Sequence, residues 1–197
     1  MSLLYPDSLP KSVTVNGNEY EIRWQYYIIL EILKIYSDKT LSDNERAYFI
    51  LDLFYEDSIP ANTEDALKAV NAFIDGASWD NGYVNEEKSN RQVMDWDMDA
   101  PFIWASMKQT YPFWDFKKAH WWEFKAAFDA LPDTAKINEV IKIRLKEITG
   151  DMTSQQRKAW MSLKKQYELP DVSGEKTNRS AKDIEADLKR QAINNGG

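Results

Sequence analysis

The segment that most constrains the fold runs from Gln25 to Tyr36. Tyr26, Ile29, Leu30 and Leu33 recur at helical spacing, and Ile28, Ile32 and Ile35 extend the apolar arc most of the way round. A helix apolar on nearly every side must be covered on nearly every side, so this one is expected at the centre of the molecule. The residues before it follow a different period. Val13-Thr14-Val15, then Asn16-Gly17-Asn18, then Tyr20 and Ile22 alternating with Glu21 and Arg23, place period-2 patterning on both sides of an Asn-Gly turn. That pattern predicts a β-hairpin, because Asn and Gly tolerate the positive φ of a tight turn. An isolated hairpin is marginally stable in water, so it is expected to pack, and the helix that follows is the nearest partner.

Further helices follow. Ser42 and Glu45 form an S-x-x-E capping box ahead of Ala47, Ile50, Leu51 and Phe54. After Pro60, Thr63 is placed to cap a helix carrying Leu67, Val70 and Ile74, ended by Gly76. Residues 77–95 lose periodicity, and their low apolar content favours a mobile loop over a functional one. Helical spacing resumes at Pro101, with Asp99 just before it, through Ile103, Trp104, Met107 and Tyr111, and stops at Pro112. The next helix carries Trp121, Phe124, Phe128 and Leu131 and ends at Pro132. Thr134 is the expected cap of another, with Ile137, Val140, Ile141, Leu145 and Ile148 closed by Gly150. Ser154 to Tyr167, aligning Trp160, Leu163 and Tyr167, is the last.

The fold expected is mainly α: an irregular bundle of six or seven helices with a small N-terminal β-hairpin, forming one domain over 1–170. Residues 171–197 contain no aromatic side chain, and only Ile184 and Leu188 are large apolar residues at helical spacing. Two such anchors cannot hold a helix on a core, so a flexible tail is expected, or a weak helix that folds on a partner.

A chain of 197 residues buries enough surface to need no covalent or metal staple. It has no cysteine and a single histidine, His120, which excludes the common zinc sites, iron–sulfur clusters, thiol catalysis and disulfide scaffolds. No Walker A loop, G-x-G-x-x-G or G-x-S-x-G is present. Asp95, Asp97 and Asp99 match the first half of a calcium loop, but Ala100 and Ser106 stand where Gly and Glu are required. These carboxylates therefore read as helix-start residues, favoured by the dipole, with a carboxylate-based hydrolase as the remoter alternative. His120 reads as a surface or half-buried polar residue beside Trp121. The expectation is a protein with no catalytic residues, no metal and no cofactor.

A net charge of -7 argues against sequence-independent nucleic-acid binding and against an anionic membrane surface. No apolar run is long enough to span a bilayer, and MSLLYPDSLPKS lacks the pattern of a secretory signal, so an intracellular protein is expected. Six of the eight tryptophans (Trp79, Trp96, Trp104, Trp114, Trp121, Trp122) fall between positions 79 and 122, which marks that region as aromatic core with a potential partner-facing rim. Trp104 and Trp121 lie on apolar stripes and are expected in the core. Adjacent Trp121 and Trp122 sit about 100° apart, so both are buried only if their helix is covered on two sides. Phe113, Trp114 and Phe116 flank a turn between helices, where they either pack on the core or form a protein-binding hot spot. With Trp122, Ile184 and Leu188 they are the candidate partner-binding residues.

The segments VNGNEYEIRW, MDWDMDAPFIWASMKQTY, AHWWEFKAAFDALPDTAKINEVIKIRLKEI and YELPD resemble the bacteriophage gene-product-fifteen (Gp15) family, over about residues 13–170. The most specific parts are Asp95 and Asp99 leading into Pro101 to Ser106, and His120-Trp121-Trp122-x-Phe124 followed by Ile143-Arg144. Pro112-Phe113-Trp114-Asp115-Phe116 departs from the family pattern, so this loop is expected to contact something different. The family's place among tail genes of long-tailed phages implies a non-enzymatic tail-assembly chaperone in the host bacterial cytoplasm. Its implied partners are the tape-measure protein and the tail-tube protein, and a homo-oligomer is compatible with that role. A structural component of the tail or virion is the alternative.

Overall fold

The computed structural model describes residues 9–76 and 93–169. The expected loop lies outside the described residues except for 93–95, as do Trp79 and the tail with Ile184 and Leu188. Two strands, β1 (Ser12–Val15) and β2 (Asn18–Glu21), pair antiparallel with Val15 opposite Asn18. Asn16 and Gly17 between them have φ of 50° and 81°, the left-handed pair that an Asn-Gly turn supplies at least cost.

The first helix, α1 (Tyr26–Ser37), buries Ile29, Ile32 and Ile35 and touches both α2 (Asp43–Phe54) and α5 (Trp121–Asp129), which makes it the central helix expected. The hairpin, however, is anchored on α2 and α3 (Thr63–Asp75) rather than on α1. Glu56 N–H donates to the Glu21 carbonyl and Arg23 N–H to that of Phe54, while Asn16 Nδ2 reaches Asp65 on α3. The Arg23 guanidinium donates to the carbonyls of Asp52, Leu53 and Tyr55 at 2.7, 3.0 and 2.7 Å. These are acceptors at the end of α2 that have no partner within the helix, so the arginine just after the hairpin caps that terminus.

Ser42 and Glu45 make the expected capping box on α2. On α3 the cap is Asn62, whose side chain accepts Asp65 N–H at 3.1 Å, and Thr63 lies inside the helix. The buried line of α3 is Ala66, Val70 and Phe73, shifted by one residue from the expected stripe on either side of Val70. Gly76 keeps a right-handed φ, so its turn does not demand glycine. The indole of Trp122 does, since a Cβ at this position would lie 2.8 Å from Trp122 Cζ2.

The remaining helices are α4 (Ala100–Thr110), α6 (Lys136–Leu145) and α7 (Ser154–Gln166), with α4 on α6 and α6 on α7. Thr134 does not cap α6. Its start is Ala135, and the Ile137 N–H is satisfied from another helix, by Ser106 Oγ on α4 at 3.1 Å. The helix stops at Leu145, short of Gly150. Ile137, Val140 and Arg144 face inward, which turns Leu145 outward to 47% exposure. Thr153 and Gln156 form a further capping box at the start of α7, a helix with no buried residue.

Candidate partner-binding surface

The base of the surface is α4, held at its first turn by an ion pair between helices. Asp99, 1% exposed, receives Arg144 of α6 in a fork, Nη1 to Oδ2 at 2.6 Å and Nη2 to Oδ1 at 2.7 Å. Arg144 also donates Nε–H to the Tyr167 carbonyl at 2.6 Å and Nη1–H to that of Val93 at 3.0 Å. One guanidinium thus joins the start of α4, the end of α6, the end of α7 and the strand of chain leading into α4, with its planar donors matched to planar acceptors. Asp99 does stand at the helix start, as its position in sequence implies, but it makes no side-chain cap there. Sequence spacing does not name its partner; the signal it carries is Arg144 at i, i+3, i+7 with Ile137 and Val140, a charge on an apolar stripe.

The other two carboxylates do different work. Asp95 Oδ1 accepts the N–H groups of Asp97 and Met98, each at 2.9 Å, and Asp97 pairs with Lys34 of α1 at 2.6 Å. Among the described residues no three acidic or histidine side chains gather in a way that could hold a metal ion.

His120 is buried at 3% exposure, against the expected surface or half-buried position, and is the N-cap of α5. Its Nδ1 accepts Trp122 N–H at 3.1 Å. That role assigns the proton to Nε2, which donates to the Pro10 carbonyl at 2.8 Å. Burial pushes its pKa below the usual histidine value, which favours the neutral ring that the Trp122 hydrogen bond requires. The ring stacks on Trp24 with centroids 5.4 Å apart.

The two following indoles both close α3. Trp121 Nε1–H donates to the Ile74 carbonyl at 3.1 Å and Trp122 Nε1–H to that of Phe73 at 2.9 Å, satisfying last-turn acceptors. Trp121 is fully buried, as expected. Trp122 is half-buried and lines a shallow apolar groove of about 260 Å³ with Val13, Ala69, Ala72 and Phe73.

The candidate residues around positions 113–116 separate. Phe116 is buried, with its ring 5.6 Å from Trp114 and 6.2 Å from Tyr26, and is a core residue rather than a surface one. Trp114 is half-buried, set edge-on to Tyr111 at 6.0 Å. Its carbonyl accepts Lys108 Nζ at 3.3 Å, and that ammonium lies 4.9 Å over the Phe116 ring. Tyr111 in turn donates its hydroxyl to the Ala127 carbonyl of α5 at 3.0 Å. Phe113, between Pro112 and Trp114, is fully exposed.

Trp104 is also outside the core, at 59% exposure, contrary to the sequence expectation. The inward line of α4 is Ile103, Ser106 and Met107, and Trp104 falls about 100° beyond Ile103 on the solvent side. Trp104, Lys108 and Tyr111 are spaced i, i+4, i+7, so an aromatic ridge runs along α4 and turns into Phe113-Trp114. Its base is fixed by hydrogen bonds and its two ends, Trp104 and Phe113, meet water. Exposed aromatic groups on an ordered base form the anchor type that partner proteins bury.

A family model described as Bacteriophage Gp15 protein matches residues 5–169. No curated protein and no solved structure matches the chain. The match takes in the hairpin, helices α1 to α7, the Asp99–Arg144 pair, the His120 cap and the aromatic ridge. The chain belongs to the bacteriophage Gp15 family.

Proposed function

We propose that this phage protein is a non-enzymatic tail-assembly chaperone that binds the tape-measure protein, the tail-tube protein or both in the host cytoplasm during morphogenesis. The observation that carries this reading is the pair of exposed aromatic side chains, Trp104 and Phe113, on a ridge fixed by Tyr111 and Lys108. A tape-measure helix offers apolar side chains at i, i+3, i+4 spacing, and such a stripe is matched by aromatic anchors rather than by charge. A net charge of -7 keeps a protein with exposed aromatic groups soluble while it waits for that partner.

Co-expression with the neighbouring tape-measure and tail-tube proteins tests the proposal. Wild-type protein is expected to raise partner solubility and to co-purify, and the Trp104→Ala, Phe113→Ala double variant is expected to lose both effects while staying folded. Unchanged co-purification by that variant would refute the role of the ridge. Stoichiometric copies of this chain in purified virions would instead favour a structural tail component.

A further inference from the structure

The seventh helix carries a second surface that uses neither Trp104 nor Phe113. Its inward line is Trp160, Lys164 and Tyr167, all half-buried, with Lys164 Nζ on the Arg144 carbonyl at 2.9 Å and Lys146 over the Trp160 ring. The outward side carries Lys158, Met161 and Lys165 at i, i+3, i+7, with Met161 54% exposed. Every charged side chain on α7 is basic (Arg157, Lys158, Lys164, Lys165), in a chain whose net charge is -7.

The solvent side of α2 has the complementary pattern at the same spacing. Glu45, Tyr48 and Asp52 stand at i, i+3, i+7, with Tyr48 56% exposed. Exposed Asp43, Glu56 and Asp57 extend the acidic character past both ends of the helix. A basic–apolar–basic stripe and an acidic–aromatic–acidic stripe of identical helical period can align side by side without a register mismatch.

We propose that α7 of one copy of this chain docks on α2 of a second copy. The helices run parallel, with Lys158 against Glu45, Met161 against Tyr48 and Lys165 against Asp52. Because the two surfaces are different, the contact is heterologous and repeats head to tail, into a ring or an open chain. A single helix-on-helix contact is smaller than a standard stable interface, so association is concentration-dependent. Its charges sit at the rim, so added salt weakens it.

Sedimentation of the full chain over a range of concentrations tests this. Wild-type protein is expected to associate at low salt, with the association weakened about tenfold or more at high salt, where the screening length falls to roughly 3 Å. Two variants, Lys158→Glu with Lys165→Glu and Tyr48→Ala with Asp52→Lys, are each expected to be monomeric with unchanged melting curves. Mixed, they retain one intact α7 and one intact α2 between them, so they are expected to form a one-to-one dimer that grows no further. A wild type that stays monomeric at low salt would overturn the proposal, whatever the variants do. So would a mixture that remains monomeric beside an associating wild type, and so would a Tyr48→Ala, Asp52→Lys variant that still associates on its own, the result for like-to-like pairing of α7. Association that appears only after removal of residues 171–197 would overturn it too, because the tail would then be the occupant of α7.

Discussion

Among the described residues, the side chains buried in the hairpin, α1, α2 and α3 are all apolar, whereas α4 and α6 bury Asp99, Ser106 and Arg144 beside Ile103, Met107, Ile137 and Val140. Ile29, Ile32, Ile50, Phe54 and Val70 are almost fully buried in the first region. In the second, the joints are the Asp99–Arg144 fork, the Ser106 hydroxyl on the Ile137 N–H, and the Tyr167 carbonyl on Arg144. Apolar packing is roughly proportional to area and tolerant of small shifts, while a buried polar contact is satisfied in one register only. The first region is therefore stabilised by burial. The second is held in position, and it is the region that carries the aromatic ridge.

The sharpest break in this comparison is expected from Arg144→Met. It leaves the Asp99 carboxylate buried without a counter-charge, a change that costs about 3–5 kcal/mol, measurable by denaturant unfolding. Adding Asp99→Leu to that variant is expected to restore most of the loss, because removing both charges removes the desolvation problem. Ile32→Ala in the first region is expected to cost about 2–5 kcal/mol and to have no such rescue by a second deletion. Full destabilisation in the Asp99, Arg144 double variant would erase the distinction between the regions.

A smaller effect, about 1–3 kcal/mol, is expected from Ser106→Ala, which strands the buried Ile137 N–H. The loss is expected in unfolding free energy, with faster amide exchange concentrated at the start of α6. Equal exchange across α4 and α6 would show that the hydroxyl has no specific role in joining them.

Smaller again is the pH dependence from His120. The folded state holds this ring neutral, so its pKa is lowered from 6.5, first by burial. The unfolded chain then binds more protons between the depressed value and 6.5, and stability rises with pH across that window. The contribution is complete above 6.5 and is lost as pH falls through the folded value, when Nδ1 can no longer accept Trp122 N–H. Unfolding curves of wild type and His120→Asn between pH 7 and 4 are expected to converge towards the acid end. Parallel curves would contradict the assignment.

Trp104→Ala and Phe113→Ala close the series. Both side chains are largely in water, and the expected change in unfolding free energy is within about 0.5 kcal/mol. A large loss from either would place it in the core and remove it from the ridge.

The features legible in the sequence are those whose two halves are neighbours in it. The Asn16-Gly17 turn, the Ser42–Glu45 box, the apolar girth of α1 and the stop at Pro112 are local, and each is where the spacing put it. The joints of the second region link residues far apart in the chain, Asp99 with Arg144 and Ser106 with Ile137, and periodicity carries no information about such partners. Trp104 shows a different limit. It continues the apolar stripe of Ile103 and Met107, and only the position of α6 decides which edge of that stripe faces inward. The same applies between helices, where Phe113 and Phe116 read alike in sequence and the 3-10 turn Phe116–Lys118 directs Phe116 into the core.

The claim that the ridge on α4 is the partner-binding surface is tested most directly by amide hydrogen exchange of this protein with and without the tape-measure protein. Protection is expected to centre on the second half of α4 and residues 111–116, with α2 and α3 unchanged. Protection confined to α7 or the hairpin, with residues 104–116 exchanging as in the free protein, would contradict it.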